Sequence, residues 1–264
     1  MIHISSRDNP LLRQARSVRD GKIDDLIFVE GLRLAEEALH SGLEIEAVIY
    51  SHEIAEKERA SQYLEAVALV CKRMVSVSEK LLATVSYTKT PQGMIILAKQ
   101  PELGKAKLEV SVGRPALLVI LHGINNPVNV GAIMRSAEAA GATGLITTAN
   151  TADPFSPKAL RGAMGSAFRL PIWRGASYGD ALSWCAAHNI RTVCADLKAS
   201  ALYTDIDWTI PMALIVGPES TGLSLEDVAA ADQAVRIGMH GEVESLNVGV
   251  AAGILLYEAA RQRR

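Results

Sequence analysis

The chain has 264 residues, 49% of them hydrophobic and 21% charged, with a net charge of −2. These values fit a folded protein of one large or two smaller domains and exclude a strongly basic chain, so any nucleic-acid contact must come from a local patch. No apolar run reaches the roughly 18 residues of a membrane span. Cys71, Cys185 and Cys194 form no CxxC pair and Met1–Ile4 carries no targeting pattern, which points to a reduced cytoplasmic protein.

In chain order, Asn9–Pro10 marks a helix start. Arg7, Arg13, Arg16, Arg19 and Lys22 outnumber Asp8 and Asp20 there, and Arg13, Arg16 and Lys22 share a helical face, which is either solvated or contacts phosphates. Leu26–Val29 reads as a strand, followed by a helix to about Ser41 that Gly42 stops. Ala47–Tyr50 is the next strand, residues 53–66 a charged helix, and 67–70 and 75–77 short apolar strands. Ser78 caps a helix to Val85, residues 87–93 form a loop, and 94–98 close the unit as a strand. Strands alternating with helices predict a small α/β domain over residues 1–98. Residues 99–113, with charge, Pro and Gly but no apolar period, read as a linker.

A second domain is expected over 114–264. Residues 115–121 form a continuous apolar run, as in a parallel strand buried on both faces. A polar loop through Gly131 follows, then a helix over 132–140 carrying Arg135, then a strand at 144–147. Arg135 on that mostly apolar helix is either structural or a phosphate-binding or chemical group. Ser156–Pro157 starts another helix, with Lys158 and Arg161 as candidate RNA contacts. A helix over 178–188 and strands at 191–195 and 210–216 continue the alternation. Gly217–Ser224 is a glycine-bounded loop with one carboxylate, Glu219, either a helix-start anion or a ligand edge. A strand at 235–237 leads through Gly238–Gly241 to the polar cluster 244–247 and a last helix with almost no charge until Glu258, which reads as buried. Ser245 or Asn247 caps that helix, or its free N–H groups serve a ligand.

Several motifs are absent. There is no GxGxxG after a strand, no GxxxxGK[ST], no HExxH and no GxSxG. The six histidines are scattered without ligand spacing, so no metal is expected.

The segments NPVNVGAIMRSAEAAGATG, LIVGPESTGLS and IGMHGEVESLNVGVAAGILLYEAARQ together resemble the three motifs of the SpoU/TrmH family of RNA 2′-O-ribose methyltransferases, in the SPOUT superfamily. SSRDNPLLRQARSVRD and FVEGLRLAEEAL are similar to the substrate-binding domain of its ribosomal-RNA members. The resemblance implies an α/β SPOUT domain with a parallel sheet and a deep trefoil knot, an exception to the rule against threaded chains. It implies S-adenosylmethionine held by backbone groups of Gly217, Ile237 and Leu246. It also implies Arg135, Asn129, Glu219, Ser245 and Asn247 as catalytic residues, ribosomal RNA as substrate, and a homodimer through the C-terminal domain. Arg7, Arg13, Arg16, Lys158 and Arg161 are the expected RNA-binding residues. A non-catalytic ribosome-assembly protein and a tRNA methyltransferase are the competing readings on the same fold. Three positions depart from the family pattern: Gly238 where Pro is usual, Gly249 where Ser is frequent, and Pro218–Glu219–Ser220 in the second motif.

Overall fold

Two patterns of hydrophobicity divide the molecule. The computed structural model describes residues 2–71, 73–109 and 115–264. Contacts cluster into one unit of Met1–Pro101 with Phe155–Arg169, and a second of Glu102–Pro154 with Leu170–Arg264.

The first unit contains β1 (Ile2–His3), α1 (Pro10–Arg19), β2 (Leu26–Glu30), α2 (Leu32–His40), β3 (Ile45–Ser51), α3 (His52–Ala55), α4 (Glu58–Val67), β4 (Met74–Val77), α5 (Glu79–Ala83) and β5 (Met94–Lys99). Its sheet runs β1-β4-β3-β5-β2, with β5 antiparallel to both neighbours and the other pairs parallel. Asn9 caps α1 through Leu11 N, with Pro10 in the first turn, as the Asn-Pro signal predicts. The segment 67–70 is not a strand. Val67 ends α4 fully buried, whereas Leu69 and Val70 are exposed, so this apolar run is a helix end and a turn rather than a sheet element.

The chain continues through α6 (Lys105–Glu109), β6 (Leu117–Leu121), α7 (Pro127–Ala139) and β7 (Gly144–Thr148). α8 (Pro157–Ala163) and α9 (Ser166–Arg169) then cluster with the first unit, where Arg169 pairs with Glu37 at 2.5 Å. The second unit resumes with β8 (Ile172–Ala176), α10 (Tyr178–Ala187), β9 (Arg191–Ala195), β10 (Ala201–Leu202), β11 (Met212–Val216), α11 (Leu225–Ala230), β12 (Gln233–Arg236) and α12 (Val248–Gln262). Part of the stretch read as linker is thus the helix α6, whose Leu108 is buried in the second core; residues 110–113 and Arg114 lie outside the described residues.

The second sheet is parallel throughout, in the order β10-β12-β9-β11-β6-β7-β8. β6, β7 and β11 are buried at every position, which accounts for the unbroken apolar runs of β6 and β11; β7 also buries Thr147 and Thr148. α7 begins at Pro127 behind an Asn126 cap, five residues before the predicted start, so Asn129 lies inside the helix. α12 is only half covered. Ala252, Leu255, Leu256 and Ala259 are buried, while Val250 and Tyr257 are each 53% exposed. Its low charge therefore reflects two apolar faces rather than full burial.

The far end of α12 is fastened to the starts of two strands. Arg263 donates to the carbonyls of Trp208 (2.6 Å), Pro115 (2.7 Å), Ala116 (3.1 Å) and Ile210 (2.6 Å). Gln262 Oε1 accepts from Trp208 N at 2.9 Å, and the Trp208 ring is fully buried. Burial lowers the pKa of the Arg263 guanidinium, whose donors replace lost water. Replacing Arg263 with Ala is expected to cost about 2 kcal/mol, the scale of hydrogen bonds to a charged group. Thermal unfolding should register this as a fall of roughly 4–8 °C, and an unchanged melting temperature would remove Arg263 as a clamp.

Candidate active site

Three loops leave the carboxyl ends of parallel strands, after β6, β11 and β12, the edge where α/β sheets place their ligands. β6 and β11 are neighbours, and their loops touch: a Cβ on Gly123, which has φ +66°, would lie 3.1 Å from Pro218 Cγ. The β11 loop folds back on itself at Gly217, where a Cβ would meet Leu223 Cγ at 2.7 Å and Leu223 N at 2.9 Å. Only glycine fits there.

One hydrogen-bonded chain ties the three loops together. Asn247 caps α12, its Oδ1 accepting from Gly249 N at 2.9 Å and Val250 N at 3.4 Å. That commits the Asn247 Nδ2 group to the other side, where it donates to Asn129 Oδ1 at 3.3 Å. Asn129 Nδ2 in turn donates to Glu219 Oε1 at 2.8 Å. The helix N-terminus fixes the orientation of the first amide, and each amide fixes the next, so the chain must end on an acceptor. A carboxylate is that acceptor. Asn129 is 8% exposed, whereas Glu219 and Asn247 reach solvent.

The remaining predicted residues lie on α7 and on the loops after β11 and β12. Arg135 lies on α7, exposed, and no hydrogen bond or ion pair engages it among the described residues; the partner of Glu219 is Asn129. Ser245 is exposed and outside the hydrogen-bonded chain. Gly217, Ile237 and Leu246 are each half-buried on the loops after β11 and β12. Among the described residues, 238–246 make no backbone–backbone hydrogen bond, so this mostly exposed loop keeps its N–H and C=O groups available. Of the three departures, Gly249 has a visible reason: a Cβ there would lie 3.2 Å from the capping Asn247 Oδ1 and 3.6 Å from Ala132 Cβ on α7. Gly238 is sterically open, with only Leu202 at 3.8 Å.

Beside the β11 loop is a cavity of about 230 Å³ lined by His122, Pro218, Ser224 and Asp227, among others. His122 Nε2 is 3.6 Å from Asp227 Oδ2, and its ring lies 4.4 Å from that of Tyr178. Tyr178 donates to the Asp227 carbonyl at 2.9 Å, and burial raises the pKa of its hydroxyl. The thiols of the unit are not nucleophiles. Burial pushes Cys185 up to about 12 and Cys194 up to about 11. Among the described residues no three His, Cys, Asp or Glu side chains gather as a metal-binding group.

The five RNA-binding candidates all fall in the first unit. Arg7, Arg13, Lys158 and Arg161 are exposed, the last two one turn apart on α8. Arg16 is partly spent on structure, donating from Nη2 to the Arg7 carbonyl at 2.8 Å. Two residues on the loop after β6 were not singled out from sequence. Asn126 caps α7 by accepting from Val128 N at 3.0 Å, and the Asn-Pro dipeptide that announces α1 recurs there as its signal. His122 carries no local pattern that sets it apart.

Residues 116–257 match the SpoU rRNA Methylase family, and residues 11–96 match the MRM3-like substrate binding domain. The chain is similar to the 23S rRNA (guanosine(2553)-2′-O)-methyltransferase of Bacillus subtilis, with 32% identity over 87% of this chain and 86% of that protein. It is also similar to the 23S rRNA (uridine(2479)-2′-O)-methyltransferase of Streptomyces viridochromogenes, with 31% identity over 89% of this chain and 83% of that one. A solved AdoMet-bound rRNA methyltransferase from Sinorhizobium meliloti superposes with a TM-score of 0.84 at 30% identity, covering 98% of this chain and 97% of that chain. The sheet order, the three joined loops and these matches agree, and the chain belongs to the SpoU rRNA Methylase family.

Proposed function

We propose that this protein transfers a methyl group from S-adenosylmethionine to a ribose 2′-hydroxyl of ribosomal RNA. The observation that carries the reading is the chain Asn247–Asn129–Glu219, which joins all three motif loops on the helix that also bears Arg135. Relatives named for 2′-O-methylation of 23S rRNA favour ribosomal RNA over tRNA and an enzyme over a bare binding module. The match of residues 11–96 to a substrate-binding domain supports the same substrate.

The residues present suit the cofactor. The backbone groups of half-buried Gly217 and Ile237, and the free ones of 238–246 with half-buried Leu246 among them, are the donors and acceptors that would hold it. When bound, S-adenosylmethionine supplies a methyl group activated by its sulfonium. The protein's own contribution is orientation and charge. Arg135 holds an RNA phosphate through its guanidinium fork and so positions the ribose. Asn129 and Asn247 set the ribose-facing geometry through their fixed amides, Glu219 closes the chain as the acceptor, and Ser245 adds a hydroxyl at the start of α12. The C-terminal segment from β11 to α12 forms the knot that encloses the cofactor. The exposed apolar face of α12, with Val250 and Tyr257, seats a second copy of the chain. Three unpaired, buried cysteines suit the reducing cytoplasm.

The primary test is methyl transfer from labelled S-adenosylmethionine to separated rRNA and tRNA from cells lacking the gene, followed by nucleoside analysis. A labelled 2′-O-methylnucleoside in rRNA is expected; a labelled base, or label in tRNA alone, would sink the reading. Arg135→Ala should keep cofactor affinity by calorimetry and lose transfer by on the order of a hundredfold; loss of both would mark Arg135 as structural. Asn129→Asp puts a carboxylate against Glu219 and should lower both the melting temperature and transfer. Adding Glu219→Gln restores a donor–acceptor pair of reversed polarity, so the double variant should regain its melting temperature without regaining transfer. A double variant no more stable than Asn129→Asp would show that the hydrogen bond is not what holds the loops.

A further inference from the structure

The first unit spends a buried carboxylate on a surface loop. Glu30, the last residue of β2, is 5% exposed. Its Oε2 accepts from Tyr87 N at 2.9 Å and Thr88 N at 3.2 Å, and its Oε1 accepts from the Thr88 hydroxyl at 2.5 Å. Arg19 grips the preceding residues from the other side, donating from Nη1 to the carbonyls of Val85 (3.0 Å) and Ser86 (3.4 Å). The far end of the loop is fixed too. Gln92 lies against Gly31, and Gly93, at φ +79°, has no room for a Cβ beside Ile54. A buried carboxyl group is retained only where its partners satisfy it, so Glu30 and Arg19 anchor the backbone of this loop from Val85 to Thr88.

The anchored loop presents an aromatic ring to solvent. Tyr87 is 45% exposed although its backbone is anchored. Lys89, two residues on, is exposed and has no hydrogen bond or ion pair among the described residues. Arg33 is equally exposed and unengaged, two residues beyond the Gly31 against which the loop closes. Residues 86–93 contain no acidic side chain. An exposed ring on an anchored backbone, with an exposed cation on its own loop at Lys89 and another at the start of α2 at Arg33, has the chemistry of a single-stranded nucleic-acid subsite, in which a base stacks on the ring and the phosphates meet the cations.

We infer that the Tyr87 loop is a single-strand RNA subsite of the first unit, in which an unpaired base stacks on Tyr87 and its neighbouring phosphates contact Lys89 and Arg33. This rests on the RNA substrate proposed above. Bases unpaired from their partners expose a face for stacking, whereas duplex bases do not, so the subsite selects loops, bulges or ends of the RNA.

The test is fluorescence anisotropy of the full chain with a short labelled oligo(A) RNA, in parallel with calorimetry for S-adenosylmethionine. Tyr87→Ala should weaken RNA binding roughly five- to a hundredfold, the range of a lost base–aromatic stack, and leave cofactor affinity unchanged. Tyr87→Phe, which keeps the ring, should bind as the unaltered chain does. Lys89→Ala and Arg33→Ala should each reduce the salt dependence by about 0.7 in the log–log slope. Equal RNA affinity of Tyr87→Ala and the unaltered chain would overturn the subsite alone. An unaltered chain that binds S-adenosylmethionine but no RNA, single-stranded or ribosomal, would overturn the subsite together with the proposed substrate.

Discussion

The second unit depends on one buried amide. Asn129 is covered on α7, and a covered amide must find both a donor and an acceptor or lose the free energy of its hydration. It finds the acceptor on Glu219 and the donor on Asn247, residues 90 and 118 positions away in the chain. Both lie on loops that lack secondary structure of their own. Each loop is therefore positioned by a hydrogen bond whose polarity is dictated from the N-terminus of α12. The same helix is clamped at its other end by Arg263 and Gln262, so the start of α12 cannot drift without straining contacts to residues 115–116 and 206–210.

The two units divide the chemistry. Residues proposed for methyl transfer and for the cofactor all lie in the second, Arg135 with its proposed phosphate contact among them, and the other basic residues proposed for RNA lie in the first. This explains how a chain with a net charge of −2 can serve a polyanion. On the proposed sites, the binding free energy would come from local cations and an aromatic ring rather than from a global field. It also explains why α8 and α9 matter. Their sequence position is inside the methyltransferase half, yet Arg169 pairs with Glu37 and Gly165 lies so close to Glu37 that a Cβ would fall 2.6 Å from its Oε2.

Much of this was legible in the residues, and for identifiable reasons. β6 and β11 announce themselves because a strand buried on both faces is carried mainly by apolar side chains. α1 announces itself because Asn followed by Pro satisfies a helix start by covalent geometry alone. The failures are equally physical. Residues 67–70 have strand composition, but hydrogen bonding to the preceding turn of α4 decides their conformation. β8 is short and carries Trp173, Arg174 and Gly175, so its strand character comes from pairing with β7 rather than from its own side chains.

The sequence by itself determined the α/β class, the parallel core of the second unit, the family, and the identities of the residues that could serve methyl transfer. These are local or cumulative properties: burial pattern, capping chemistry and motif spacing. Tertiary structure alone decided that Asn129 bridges Glu219 and Asn247, that Arg135 has no hydrogen bond or ion pair among the described residues, that α8 and α9 belong with the first unit, and that Glu30 fixes the loop bearing Tyr87. Those facts depend on which residues distant in sequence meet when the sheets close. A hydrogen bond between residues 57 or 118 positions apart leaves no trace in either neighbourhood of the chain.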